Sequence, residues 1–290
     1  MSVVLQTLFS SLVNGSVYAL MGVAIVLCYR SSRVVNLAQG ETYTVSGLLT
    51  AKLVTVGLPL AAAAICGIGA AAVGALLFER LALRNRLHWN PSRLIMIALG
   101  VALVAEGMAD LLAGADQYSF PALMSGPPLA VGGAAISRQA LLLIGITLGA
   151  TVALAAFFRF TLIGQAMTAC AENPGASALL GIDVARMRQL SYGLAGVLGG
   201  LSALLLVPIN GVTYNAGLSL TLSGFAAAAT ANMFHPGRAL WAGLALGLGE
   251  GVVGAYLSPL LEVPMAFGVL LLAGLIYLSR GQRFGGVARA

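Results

Sequence analysis

Charged side chains are scarce in this chain, in which Asp, Glu, Lys and Arg together make up 8% of the 290 residues. A soluble globular domain carries about 25% charged residues, because its surface has to be solvated. The scarcity of charge therefore excludes a soluble domain of this length. Hydrophobic residues make up 59% of the chain. Apolar runs of about 20 residues recur along it, each long enough to cross a ~30 Å hydrocarbon layer as a helix.

Residue types that build catalytic, metal and nucleotide sites are scarce as well. The three cysteines, Cys28, Cys66 and Cys170, are widely spaced and odd in number, so they predict neither a disulfide framework nor a metal cluster. The single lysine, Lys52, follows an alanine, and no GxxxxGK[ST] loop is present, so no ATP site is expected. No Ser/His/Asp set or pair of suitably spaced carboxylates supports a membrane enzyme.

The basic balance of the chain, with a pI near 9.6, raises the question of a nucleic-acid partner. No stripe of aromatic and basic residues of the kind that follows a phosphate backbone is present. The basic residues cluster instead in short segments between apolar runs, which is typical of cytoplasmic loops of membrane proteins. We therefore expect a lipid bilayer around this chain and no nucleic acid.

Glycine, by contrast, is abundant, with 37 residues, and small side chains suit the close packing of membrane helices. The apolar runs are too long for barrel strands and do not alternate. We predict an all-α polytopic membrane protein, a single transmembrane domain over 1–290 with about 8–9 transmembrane helices. The apolar runs are 5–28, 37–56, 58–82, 93–114, 139–158, 189–208, 219–234, 238–257 and 263–279.

The positions of the basic residues predict the orientation of the chain. If the segment 80–93 is cytoplasmic, all of the 15 basic residues except Lys52 and Arg138 fall on the cytoplasmic side, as the positive-inside bias requires. The N-terminus then lies outside and the C-terminus in the cytoplasm. Residues 1–27 contain no basic residue, so we expect no cleavable signal peptide.

Two parts of the chain resemble each other. Residues 18–36 align with 192–210, and the first run leads inward whereas the second leads outward in the predicted topology. Inverted repeats of this kind place transport sites near the bilayer midplane. Both copies end in a polar, helix-breaking stretch, NLAQGE and NGVTYN. The identical positions are Tyr18/Tyr192, Leu20/Leu194, Gly22/Gly196, Val23/Val197, Leu27/Leu201 and Asn36/Asn210.

Two motifs carry a resemblance to a known family. NGSVYALMGVAIVLCY followed by VVNLAQGETYTVSG resembles the N-terminal signature of branched-chain amino acid (Liv-type) ABC transporter permeases. GQAMTACAENPGASALLGIDVARMRQLSYGLAGVLGGLSA, at 164–203, is similar to the cytoplasmic loop of that family and the helix after it. The chain departs from the family at 230–243, where TANMFHPGRALWAG replaces a glycine-rich stretch. Because of that departure, two expectations stay open for this chain: that the helices pack closely at 230–243, and that the substrate is the usual one of the family.

The resemblance implies a membrane-spanning subunit of an ATP-driven importer for branched-chain amino acids in the bacterial inner membrane. It implies that this chain is not an enzyme and binds no cofactor, because ATP and Mg belong to two cytoplasmic ATPase subunits. A second permease subunit, identical or homologous, and an extracytoplasmic solute-binding protein would complete the importer. Two alternatives stay open: a permease for urea or short amides, and a proton-coupled secondary transporter that works alone.

Polar residues in and near the apolar runs are candidates for the translocation pathway. An interrupted helix before the second span would expose backbone N–H and C=O groups to a zwitterion, and Gly40 permits unusual backbone conformations there. The alternative is a solvated turn in which Asn36 caps the next helix. Intramembrane acids such as Glu106 and Glu250 face the bundle interior or a water-filled cavity by default, which makes them pathway candidates. The alternative is that they only form hydrogen bonds between helices. The predicted pathway residues are Asn36, Gln39, Gly40, Glu41, Tyr43, Thr44, Glu106, Asn210, Tyr214 and Glu250.

The loop 159–188 is longer than a connection between two helices requires. Its Pro174-Gly175 breaker is followed by a short apolar turn, and the resemblance implies a coupling helix that docks into a groove of the ATPase. The alternative is an amphipathic connector lying on the membrane surface. The predicted coupling residues are Glu172, Asn173, Ala176, Leu179, Leu180, Gly181 and Ile182.

Overall fold

The structure, a computed structural model, describes residues 2–86, 89–131, 134–256, 268, 269 and 272. The ninth apolar run, 263–279, therefore lies almost wholly outside the described residues. The α-helices are α1 Ser2–Ser32, α2 Glu41–Thr55, α3 Leu60–Leu77, α4 Pro91–Ala113, α5 Arg138–Phe160, α6 Leu162–Glu172, α7 Pro174–Leu179, α8 Val184–Asn210, α9 Ala216–Thr230 and α10 Pro236–Tyr256. A π-helical segment, Phe78–Leu83, continues α3, and a short antiparallel hairpin, β1 Leu129–Val131 with β2 Ala134–Ile136, precedes α5.

Among the described residues, six helices are long and apolar enough to cross a membrane. They are Val4–Ser32, Leu60–Leu83, Pro91–Ala113, Arg138–Phe160, Val184–Asn210 and Pro236–Tyr256. The predicted class, an all-α polytopic membrane protein, is confirmed. The number of 8–9 spans stays a prediction, since it depends on α2, on α9 and on the run 263–279.

Helices α2 and α9 are shorter than the six candidate spans, with 15 residues each. At 1.5 Å per residue such a helix is ~22 Å long, less than the ~30 Å of the hydrocarbon layer. Each follows a long helix after a break in the chain, α2 after α1 and α9 after α8. Two copies of the same order, a long helix, a break, a short helix and a further long helix, therefore occur in the chain.

The contacts between the two copies are those of an inverted arrangement. Helices α1 and α8 are antiparallel, because Ser32 hydrogen-bonds to Tyr192 at one end and Asn210 to Asn14 at the other. Each copy packs its later helices on the first helix of the other copy. Helices α9 and α10 lie against α1, and helices α2 and α3 lie against α8. The two halves are thus interlocked, as the predicted inverted repeat requires.

Small residues allow α10 to pack closely on α1. A Cβ atom added to Gly243 would overlap the backbone of Ala19, and one added to Gly247 would overlap the backbone of Gly15. Because these glycines are four residues apart, they share one face of α10. Close packing therefore persists at the end of the stretch 230–243, where the departure from the family pattern left it open.

Replacing Gly247 with alanine is expected to destabilise the bundle, because its methyl group would overlap the Gly15 backbone. Overpacking of this kind costs about 1–3 kcal/mol. Thermal unfolding of the purified protein in detergent measures the effect. The matched control is Gly69→Ala, since Gly69 has no neighbouring atom within 4 Å of an added Cβ. Equal unfolding temperatures for the two variants would contradict the packing described here.

Candidate translocation site

The break between α1 and α2 is held in place by buried amide side chains. The Asn36 Oδ1 accepts a hydrogen bond of 3.1 Å from the Ala38 N–H, and the Asn36 Nδ2 donates one of 3.3 Å to Gln39 Oε1. The Gln39 Nε2 donates a bond of 2.9 Å to the Ala195 carbonyl on α8. Asn36 and Gln39 therefore fix the shape of the break and attach it to the other half of the protein.

The N-terminal ends of α2 and α9 meet at this break. The Gly40 N–H donates a hydrogen bond of 2.8 Å to the Thr221 hydroxyl of α9. A Cβ atom at Gly40 would overlap the carbonyl oxygen of Gly217, so only glycine allows this approach. Both helix N-termini carry partial positive charge. The meeting point of the two halves is therefore favourable for negative charge.

The Glu41 carboxyl lies at this meeting point, in the first turn of α2. Glu41 is only 6% exposed, and one side of its carboxyl, Oε1, lies close to Gly217. Its other oxygen, Oε2, and the hydroxyl of Thr44 have no hydrogen-bond partner among the described residues. Buried polar groups are nearly always hydrogen-bonded, so two such groups one helical turn apart indicate a place for a polar ligand group or water.

A cavity of about 540 Å³ adjoins Glu41. This volume is within the ~300–1,000 Å³ range of small-molecule sites. The polar residues of its wall are Asn36, Glu41 and Thr42, and the remainder of the wall is apolar. One carboxyl beside an apolar wall suits a small solute with a cationic amino group and an apolar body. The other lining residues are Ala38, Val45, Ala70, Ala71, Gly74, Ala75, Leu77, Phe78, Leu81, Ala82, Val101, Val104, Ala105 and Met108.

The remaining predicted pathway residues are divided between this cavity and other places. Glu106 is half-buried on α4 and is not among the residues that line the cavity, although its neighbour Ala105 is. Tyr43 is buried on α2 without lining the cavity, and Glu250 is buried on α10, a helix that contributes no lining residue. Of the predicted residues, Asn36 and Glu41 line the cavity, and Gln39, Gly40 and Thr44 lie at the break beside it. Tyr43 and Glu250 belong to the surrounding packing.

Asn210 and Tyr214 lie apart from the cavity. Asn210 is exposed at the end of α8, where its Nδ2 lies 3.5 Å from Asn14 Oδ1. It lines a second cavity of about 220 Å³ between α1, α5 and α8. Tyr214 is half-buried in the break before α9. The structure therefore does not bring Asn210 next to Asn36, although the two align in the repeat.

Three residues at or near the site were missed by the motif analysis. Thr221 and Gly217 contact the break at Gly40, and the equivalence of α9 with α2 in the repeat was the signal that could have indicated them. Glu79, fully buried in the π-helical segment, forms an ion pair of 2.6 Å with Arg188. Its position inside the apolar run 58–82 was the signal, since acids within spans are rare.

The segment 172–182, here called the coupling segment, contains the predicted short helix α7. The Asn173 Oδ1 accepts a hydrogen bond of 3.0 Å from the Ala176 N–H and caps the helix, and Pro174 occupies its first turn. Gly181, with φ +82°, ends it in the left-handed conformation that favours glycine. Glu172, Asn173 and Ala176 are exposed.

The apolar tip of the coupling segment projects into the surroundings. Leu179 is 91% exposed and Leu180 80% exposed, whereas Ile182 is partly buried. The exposed apolar surface at this tip is therefore formed by the two leucines. Adjacent exposed leucines at the end of a capped helix are typical of a contact surface for a partner or a membrane.

Comparison with known proteins identifies relatives over nearly the whole chain. The family model described as "Branched-chain amino acid transport system / permease component" matches residues 7–279. The high-affinity branched-chain amino acid transport system permease protein LivH of Salmonella typhimurium is 29% identical over 289 residues, with 94% of this chain and 93% of the relative covered. LivH of Escherichia coli (strain K12) is 28% identical over the same shares. BraD of Pseudomonas aeruginosa, with the same description, is 25% identical over 92% of each chain.

Replacing Thr221 with valine is expected to lower the free energy of unfolding, because the buried Gly40 N–H loses its acceptor. An unsatisfied buried donor costs about 1–3 kcal/mol. The matched control is Thr147→Val on α5, since the buried Thr147 hydroxyl has no hydrogen-bond partner among the described residues. Thermal unfolding of both variants provides the measurement. An equal loss of stability in both would show that the bond from the Gly40 N–H to Thr221 contributes nothing beyond the loss of a buried hydroxyl.

Proposed function

The chain belongs to the family of branched-chain amino acid transport permeases, and from this premise we propose that it is the membrane-spanning subunit of an ATP-driven importer of branched-chain amino acids. The observation that carries the proposal is the buried Glu41 carboxyl, which lies at the meeting point of the two halves and lines an apolar cavity formed by α2, α3, the π-helical segment and α4. Inverted-repeat transporters place their solute sites at such a meeting point, near interrupted helices.

The chemistry of the cavity suits an aliphatic amino acid. A solute ammonium group would bind the Glu41 carboxylate, which lines the cavity and has an oxygen without a hydrogen-bond partner among the described residues. The solute carboxylate is favoured near the partial positive charge at the N-termini of α2 and α9. The aliphatic side chain would occupy the apolar part of the cavity, which is formed by α3, the π-helical segment and α4.

We assign the N-terminus to the outside and the C-terminus to the cytoplasm. Arg33 donates a hydrogen bond to the Ala171 carbonyl and packs on Phe234, so the coupling segment and the α9–α10 turn share one end of the bundle with Arg33. Lys52 belongs to the opposite end, where it donates to the Leu112 carbonyl at the end of α4. The basic segments therefore gather on one side, which supports a cytoplasmic location for that side.

The importer needs partners that this chain does not supply. We propose a second permease subunit, two cytoplasmic ATPase subunits that bind ATP and Mg, and an extracytoplasmic solute-binding protein. The exposed Leu179 and Leu180 would enter a groove of an ATPase subunit, and ATP hydrolysis would be confined to that subunit. The present chain would then be a transport subunit and not an enzyme.

The decisive experiment measures uptake of labelled leucine by proteoliposomes that contain the assembled importer and its solute-binding protein. We expect uptake that requires ATP on the cytoplasmic side and that unlabelled valine competes. Replacing Glu41 with glutamine removes the charge that would bind the solute ammonium group, and charge-assisted hydrogen bonds contribute about 1.5–3 kcal/mol. Leucine uptake by that variant is therefore expected to fall at least about tenfold at the same protein content.

Other outcomes of the uptake experiment separate the alternatives. ATP-dependent uptake of urea, with no leucine uptake, would retain the permease and change its substrate. Leucine uptake driven by a proton gradient without ATP would overturn the proposal in favour of a secondary transporter. Normal leucine uptake by Glu41→Gln would remove Glu41 from the pathway.

Replacing Leu180 with arginine is expected to separate ATP hydrolysis from transport, because it puts a charge on the apolar tip of the coupling segment. Membrane insertion is expected to be unchanged, since the residue is 80% exposed. Solute-stimulated ATP hydrolysis and leucine uptake are measured together. The control is Leu180→Met, which conserves the apolar character and volume of the side chain. Normal solute-stimulated ATP hydrolysis together with normal leucine uptake in Leu180→Arg would contradict the proposal that this segment contacts the ATPase.

A further inference from the structure

Two arginine side chains connect the coupling segment to the elements around the Glu41 cavity. Arg33 contacts the chain immediately before the segment, and Arg188 lies in the helix immediately after it. Each reaches an element that leads to the cavity by a different route.

The first contact is the buried ion pair between Arg188 and Glu79. The Nε of Arg188 lies 2.6 Å from Glu79 Oε1, and the two side chains are 8% and 0% exposed. Arg188 is one turn into α8, whose first residue follows the Asp183 cap at the end of the coupling segment. Glu79 belongs to the π-helical segment, and its neighbour Phe78 lines the cavity. A displacement of the start of α8 would therefore move a wall of the cavity.

The second contact is made by Arg33, at the start of the break between α1 and α2. Its Nη2 donates a hydrogen bond of 2.6 Å to the Ala171 carbonyl, at the end of α6, and its guanidinium lies 4.6 Å from the centre of the Phe234 ring. The backbone of Arg33 has φ +58°, a left-handed conformation that is rare outside glycine. The same break leads directly to Gly40 and Glu41.

Stability alone does not account for the Glu79–Arg188 pair. Burying two charges removes both from water, and replacing such a pair by well-packed apolar residues is often neutral or stabilising. The Glu79 Oε2 also has no hydrogen-bond partner among the described residues. The pair is therefore held by a single short contact that fixes the relative positions of α8 and the π-helical segment. π-Helical insertions are rare and occur frequently at functional sites.

We propose that Glu79, Arg188 and Arg33 transmit movement of the coupling segment to the Glu41 cavity, each as a positioning residue that contacts no solute. The inference rests on the proposed function, because it requires an ATPase that moves the segment. Arg188 acts on one side of the cavity, through Glu79 and the wall that contains Phe78. Arg33 acts on the other, through the break that leads to Glu41. The two routes start at opposite ends of the same segment.

The test compares the number of leucine molecules taken up per ATP hydrolysed in the assembled importer. We expect Glu79→Gln and Arg33→Ala to retain their ATPase subunits and to hydrolyse ATP, while uptake per ATP falls by about 5- to 150-fold, the usual size of coupling between sites. The matched control is Arg186→Ala. Arg186 forms an exposed pair of 3.0 Å with Asp183 inside the same turn, so it joins no two elements and is expected to leave the ratio unchanged.

The possible results discriminate between the two proposals. Wild-type importer without ATP-driven leucine uptake would overturn the proposed function. Normal wild-type uptake together with a normal ratio in both Glu79→Gln and Arg33→Ala would overturn the transmission route. If Glu79→Gln fails to assemble, Arg33→Ala decides the question, because it removes one bond to a carbonyl and leaves no charge buried. A loss of uptake with a matching loss of hydrolysis would also count against transmission, since it indicates a general defect.

Discussion

A helix inside the hydrocarbon layer can be interrupted only where the freed N–H and C=O groups find partners within the protein. The break before α2 is subject to this constraint, and the bond from the Gly40 N–H to the Thr221 hydroxyl satisfies one of its freed groups with a side chain of the other half. The same contact sets how closely the two short helices approach, since Gly217 leaves no room for a side chain at Gly40. The position of Glu41, and with it the cavity, depends on this approach.

The polar groups near the break divide into those that shape it and those that are left over. The Asn36 and Gln39 amides bond to the chain around them and to α8. One oxygen of Glu41 and the Thr44 hydroxyl remain without a partner among the described residues. A polar stretch in a membrane helix thus contains two kinds of residue with different tasks. Because of this division, the polarity of a stretch indicates where a site lies but does not indicate which of its residues contact the solute.

Much of the architecture could be predicted from the sequence, because the length of an apolar run is read directly from the sequence and can be compared with the thickness of the bilayer. The first eight predicted runs all correspond to helices, and the short helix α7 lies where Pro174 predicts a break. The pairing of Gly40 with Thr221 could not be predicted, since it joins residues far apart in the chain.

Two features of the candidate site could not be predicted from the sequence, for physical reasons. The alignment pairs Asn210 with Asn36, but an inverted repeat places equivalent residues on opposite sides of the midplane, and Asn210 lies at the other end of α8. Glu79 lies inside the apolar run 58–82, which marks it as unusual, but the sequence does not indicate which group neutralises it. Its burial depends on Arg188, which is supplied by a distant helix.

The close packing of α10 on α1 has a consequence for how the protein is made. α1 is buried almost all round in the finished bundle, yet it leaves the ribosome long before α10. Gly247, which packs against Gly15, is synthesised more than ten seconds later at the usual ~5–20 residues per second. During that interval α1 has to persist in lipid without its main neighbour. Its apolar surface on every side therefore serves two solvents in succession, first the lipid chains and then the protein interior.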